Sequence, residues 1–134
     1  MQTNLSQLIQ NLNGQVVLPS DSNYDETRAV YNAMIDKKPA IIVLCRNRDD
    51  VVKALKYANS NNLEIAIRSG GHHGAGLCLV DDGLVIDLSE MKKLEVDPAS
   101  KTAIIEPGNL LSDVDAATYQ HGLALPSGII GSTG

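Results

Sequence analysis

The chain contains no phenylalanine and no tryptophan, and four tyrosines are its whole aromatic content. A single domain of 134 residues must therefore close its core with Ile, Leu, Val and Ala, within an ordinary hydrophobic share of 43%. Binding of single-stranded nucleic acid relies on aromatic stacking platforms and a basic groove. Both are lacking here, because 11 Lys and Arg face 16 Asp and Glu for a net charge of −5. Nucleic acid is not an expected partner. No apolar run approaches the ~20 residues needed to cross a bilayer, and no secretory leader is evident. A soluble, cytoplasmic protein without a membrane partner is expected. Cysteine is scarce too. Cys45 lies in an apolar run and Cys78 follows a glycine loop, and two isolated cysteines without close spacing read as reduced, buried residues.

What is present in density is glycine around one charged loop. Ile65-Ala66-Ile67 runs into Arg68-Ser69-Gly70-Gly71-His72-His73-Gly74-Ala75-Gly76. Glycines without a Cβ let successive amide N–H groups converge on an anion. Arg68 adds a permanent charge at the rim, and His72 adds a titratable nucleophile. The plain alternative is a glycine-rich turn with solvated histidines. A dinucleotide fingerprint of the G-x-G-x-x-G type is not met, since the glycine spacing is reversed and no amphipathic helix follows. Zinc is not expected, because adjacent histidines on extended backbone point to opposite sides and no spaced partner completes a ligand set.

Along the rest of the chain, Leu5, Leu8, Ile9 and Leu12 predict a helix stopped by Gly14, and residues 15–18 a strand ended by Pro19. Residues 25–36 read as a helix with Ala29, Val30, Ala33 and Met34 inward. Residues 40–45 form an apolar strand leading to Asn47, which caps a helix whose inward residues are Val51, Val52, Leu55 and Ala58. Residues 64–67 follow as the next strand, and this βαβ order implies a small parallel sheet. Residues 84–88, 94–96 and 102–105 then predict an antiparallel or mixed sheet, with a turn at residues 97–101. Ser112 to Asp115 reads as the capping box of a last helix that Gly122 stops beyond His121.

The ordered set formed by the glycine loop, Asp81-Asp82-Gly83, residues 84–89, Val96-Asp97-Pro98, residues 102–108 and Gly122 to Gly128 resembles one family. Pro19, Tyr24, Asn32, residues 38–43 and Asp49-Asp50-Val51 agree with it upstream. The family is the FAD-binding domain of the vanillyl-alcohol oxidase/p-cresol methylhydroxylase flavoproteins, in particular its berberine-bridge-enzyme-like oxidases, and the likeness runs from about residue 14 to the end. It implies an α+β fold, with a small parallel βαβ-type subdomain over about residues 14–68. Residues 69–134 would begin a second subdomain, a mixed or antiparallel sheet with flanking helices.

The resemblance also implies FAD as cofactor, held by Arg68, Ser69, Gly70, Gly71, His72, His73, Gly76, Gly108, Gly128, Ser132, Thr133 and Gly134. His72 becomes the covalent attachment point for the flavin. A second attachment through cysteine is not implied, because Ile130 stands at its place. The function implied is oxidation of an alcohol, amine or sugar carbon with oxygen as acceptor. The chain ends on apolar and glycine residues, as expected of an incomplete domain whose substrate domain and catalytic base lie elsewhere. The isolated chain is then expected to be inactive and to cover its open surface by forming a homodimer. A cofactor-free remnant or interaction module with the same fold is the alternative.

Overall fold

The computed structural model describes residues 4–134. In chain order the elements are α1 (Leu5–Asn11), β1 (Gln15–Val17), α2 (Tyr24–Arg28), β2 (Ile41–Leu44), α3 (Arg48–Ser60), β3 (Ile65–Arg68), β4 (Leu84–Asp87), β5 (Leu94–Asp97), β6 (Thr102–Ile105) and α4 (Leu111–Tyr119). Four strands form one mixed sheet in the order β1-β2-β4-β3, in which β2 and β3 both run parallel to β4 and β1 runs antiparallel to β2. The remaining pair, β5 and β6, is a separate antiparallel ribbon.

The expected βαβ unit is present as β2-α3-β3, but its two strands are not neighbours. β4, expected from the sequence to join the later strands, lies between them. Its four residues are all buried, which is the environment of a parallel strand covered on both faces. Within this apolar sheet the side chains still alternate. Ile41, Val43, Leu84 and Ile86 pack with Leu8 of α1 and Ala54, Tyr57 and Ala58 of α3. Ile42 and Val85 point the other way, into a cluster with Val17, Tyr24, Ala66, Cys78, Leu79 and Val80. Helices α1 and α3 thus cover one face, and mainly irregular chain covers the other.

Helix α3 starts as its sequence predicts. Asn47 is extended, and its side-chain oxygen accepts the Asp50 N–H at 3.0 Å. The buried stripe, however, runs through Asp50, Ala54, Tyr57 and Ala58, while the expected Val52 and Leu55 are 39% and 44% exposed. Asp50 supplies the reason. Its buried carboxylate accepts the backbone N–H groups of Asn13 at 2.9 Å and Arg46 at 3.1 Å, and these bonds set the rotation of the helix.

The helix expected over residues 25–36 shrinks to the five residues of α2, after which Ala29 is extended. Met34, expected inward, is 90% exposed. The segment from Tyr31 to Lys38 leaves the helical path because the backbone groups at its two ends are satisfied elsewhere, along residues 71–82. The Tyr31 N–H donates to the Gly71 carbonyl at 3.1 Å, and the Asp82 N–H donates to the Lys38 carbonyl at 3.0 Å. The Lys38 N–H donates to Asp81 Oδ1 at 2.7 Å, and Lys37 Nζ donates to the carbonyls of Gly76 and Leu79. Arg28 anchors the start of this strap, pairing with Asp25 at 2.7 Å and Asp36 at 2.5 Å. Its hydrogen bond and charge hold the Asp36 carboxyl below the usual range.

Helix α4 begins two residues earlier than a Ser112 cap would place it. The N-cap is Leu110, whose N–H donates to Asp113 Oδ2 at 2.8 Å. The next N–H groups find backbone partners in the terminal segment: Leu111 donates to the Thr133 carbonyl at 2.8 Å and Ser112 to the Gly131 carbonyl at 3.0 Å. The helix end follows expectation, with Gly122 left-handed at φ +66° and the Leu123 N–H returning to the Thr118 carbonyl at 3.1 Å. The hairpin turn is held by Asp97, whose side chain accepts the Ala99 N–H at 2.9 Å.

Candidate functional site: a glycine loop at the strand ends

The connection from β3 to its parallel neighbour β4, residues 69–83, contains no helix. It opens at the carboxyl end of β3, the edge of a parallel sheet where ligands commonly bind. Gly71 sits at φ +70°, and a Cβ built there would approach the Arg68 guanidinium at 3.3 Å. A side chain at that position is opposed both by the backbone conformation and by the space. Gly70 is not among the positive-φ glycines. What excludes a Cβ there is proximity: one would lie 2.6 Å from the Gly134 nitrogen.

Arg68 does not present its charge at the rim, as expected from sequence. Its side chain is 15% exposed, Nε lies 3.4 Å from Asp87 Oδ2, and Nη1 donates to the Thr27 carbonyl. Asp87 is 2% exposed and also accepts the Ser89 N–H at 2.8 Å. Removing one partner of such a buried pair leaves the other charge uncompensated. The pair is a prop beneath the loop, and sequence reading missed Asp87 because an acid at the end of an apolar strand looks like its solvated boundary.

The expected residues divide into two groups. Ser69 Oγ donates to the Pro107 carbonyl, and Ser132 Oγ lies 3.2 Å from His72 Nε2. Together with the Gly70–Gly134 approach, these contacts bring residues 68–72 and 132–134 to one place, beside the start of α4. His72 also stacks on Tyr31, with ring centroids 4.2 Å apart and planes inclined by 19°. The other residues serve local structure. His73 is exposed, and its Nδ1 accepts the Ala75 N–H at 3.2 Å. Gly76 is buried at φ +67° against Ile35. Gly108 is buried where a Cβ would meet three carbonyl oxygens, those of Leu88, Ser89 and Met91, each at 2.6 Å. Gly128 is exposed beside Leu111.

The loop fits an anionic dinucleotide by its donor chemistry. Among the described residues, the N–H groups of Gly70, Gly71 and His72 have no protein acceptor. Successive free amides on a glycine turn form an anion-binding concavity. Cys45 and Cys78 are buried and free. Burial, reinforced by the Asp50 and Asp87 carboxylates, pushes the Cys45 thiol up to about 12, so it is inert at neutral pH. Among the described residues no helix is long and apolar enough to cross a membrane.

A parallel-sheet edge carrying such a loop defines a nucleotide-cofactor domain, and comparison with known proteins specifies which. The profile of the FAD binding domain matches residues 39–134, and the chain belongs to that family. It is 42% identical over 123 residues to the FAD-linked oxidoreductase YgaK of Bacillus subtilis, covering 92% of this chain and 27% of that protein. The crystal structure of 6-hydroxy-D-nicotine oxidase from Arthrobacter nicotinovorans superposes with a TM-score of 0.92 at 32% identity, covering 98% of this chain and 29% of that one. Physcomitrella patens BBE-like 1 superposes with a TM-score of 0.87 at 26% identity, again over 98% of this chain and 29% of the other. The resemblance read from the sequence is borne out. The chain spans about a quarter of the length of the curated relatives it matches.

Proposed function

We propose that this chain is the FAD-binding portion of a flavin-dependent oxidoreductase that oxidises an alcohol, amine or sugar carbon and passes the electrons to dioxygen, with His72 as the covalent attachment point. The observation that carries the reading is the run of unpaired N–H groups at Gly70, Gly71 and His72, with the His72 imidazole held beside them by Ser132 and Tyr31. In this reading the loop amides bind the pyrophosphate, aided by Ser69, Ser132, Thr133 and Gly134. The bound flavin supplies the two-electron redox chemistry. His72 would hold the flavin through one bond from a ring nitrogen to its 8α carbon, a two-electron oxidation in which one carbon-bound proton and the imidazole N–H proton would be released and dioxygen would accept the electrons. In this reading the isolated polypeptide, about a quarter of its relatives' length, oxidises no substrate by itself.

The second reading, a cofactor-free module, is favoured by one contact: the terminal Gly134 already lies against Gly70. Intact-mass spectrometry of chain incubated with FAD separates the two. Acid-stable flavin is expected on the parent chain and on His73→Ala, and is expected to be lost in His72→Ala. A parent chain that takes up no flavin supports the second reading, and a flavin peptide mapping to His73 or Cys78 overturns the assignment to His72. Peroxide produced from added amines, alcohols or sugars by the isolated chain overturns its inactivity.

A further inference from the structure

We infer that Tyr31 is a positioning residue for His72: its ring, stacked on the imidazole, holds it in the orientation in which Nε2 meets Ser132 Oγ beside the glycine loop. The inference rests on the reading of His72 as the attachment point, and its residues come from the strap that replaced the expected helix.

Tyr31 is 72% exposed, so its ring is not held by a hydrophobic core. Its described ring partner is His72, at the 4.2 Å centroid distance of a stacked pair. The backbone that carries the ring is itself tied to the loop. The Tyr31 N–H donates to the Gly71 carbonyl at 3.1 Å, one residue before the histidine. The Asn32 side chain donates to the Gly74 carbonyl at 2.8 Å, two residues after it. These two bonds bracket His72, so Tyr31 and Asn32 are anchored to the backbone on either side of the histidine.

On a glycine loop, such bracketing has a clear use. An exposed imidazole there would sample several rotamers, and only some of them present a ring nitrogen to the cradle. The stack covers one face of the ring, while Ser132 Oγ, 3.2 Å from Nε2, engages one edge. Two contacts from segments far apart in sequence restrict the imidazole. Aligning a nucleophile before reaction removes an ordering cost from the reactive step.

The test compares Tyr31→Phe, which keeps the ring, with Tyr31→Ala, which removes it; both leave the backbone bond to Gly71 intact. In proton NMR of the chain without flavin, the His72 ring resonances are expected to keep their ring-current shift in Tyr31→Phe and to lose it in Tyr31→Ala. On addition of FAD, acid-stable flavin is expected to form at the parent rate in Tyr31→Phe and about 3- to 10-fold more slowly in Tyr31→Ala, the range set by an aromatic pair. Reversible FAD affinity and melting temperature are expected to be unchanged in both. Unmoved His72 resonances in Tyr31→Ala, or attachment at the parent rate, overturn the inference and leave the role of His72 standing. Acid-stable flavin persisting in His72→Ala overturns the underlying reading itself. A loss of rate that Tyr31→Phe does not restore, or one accompanied by a drop in melting temperature, assigns Tyr31 a merely structural part and also overturns the inference.

Discussion

Strands β4 and β6 are both four residues long, yet every residue of β4 is buried and every residue of β6 is exposed. β4 lies between two parallel neighbours, with helices on one face and the strap and glycine loop on the other. β6 has one partner, β5, whose Leu94 and Val96 are half-buried, while Ile104 of β6 is 66% exposed. A two-stranded ribbon cannot bury both of its faces by itself. Apolar composition alone therefore does not make a core strand: its neighbours decide whether the same residue types stabilise the molecule or offer a surface to something else.

The largest test of this contrast places one truncation in each region. Ile42→Ala, at a fully buried site, is expected to cost about 2–5 kcal/mol through lost burial and the cavity left behind. Ile104→Ala is expected to stay within about 0.5 kcal/mol. Urea unfolding of both variants checks this, and comparable losses would mean that the ribbon is as much core as the sheet.

Gly71→Val probes the boundary between the regions. It is expected to cost about 1–3 kcal/mol from the left-handed backbone, with added strain as the new side chain presses on Arg68. Thermal melting at the parent temperature would show that the loop relaxes freely. The smallest effect concerns exposed apolar side chains. Ile129 is 97% exposed, Ile130 51% and Ile104 of the ribbon 66%, and exposed apolar surface with an open strand edge favours pairing with a second copy. Light scattering is expected to show the mass rising toward a dimer with concentration, less so in an Ile129→Asp, Ile104→Asp double variant. A constant monomer mass in the parent chain would remove the proposal of a homodimer.

The local features were legible. Asn47 before Asp49 and Asp50, Gly122 at the end of α4, Asp97 in the hairpin turn and Pro19 after β1 act through bonds or steric limits within a few residues. The glycine loop was legible for the same reason, and its unpaired amides agree with it. The errors arose where distant chain supplied the partners. Ala29, Val30, Ala33 and Met34 have helical spacing, and Val30 does pack inward, but Gly71, Asp81 and Asp82 offer the backbone of Tyr31 and Lys38 another set of hydrogen bonds. Val52 and Leu55 look inward until the buried Asp50 carboxylate turns α3 toward Asn13 and Arg46. A Ser112 cap fits the pattern, but carbonyls of residues 131 and 133 reach the helix first.

The sequence by itself determined the apolar strands, the glycine turn at Gly70 and Gly71, and the histidine that follows them, because these depend on side-chain volume, the absence of a Cβ and covalent order. Only the tertiary structure decided that β4 would separate β2 from β3, that Asp87 would neutralise Arg68 beneath the loop, and that Tyr31 and Ser132 would meet at His72. Those contacts join residues far apart along the chain. Which of several similar apolar strands becomes a neighbour, and which buried charge finds its partner, is settled by the packing and desolvation of the whole chain at once.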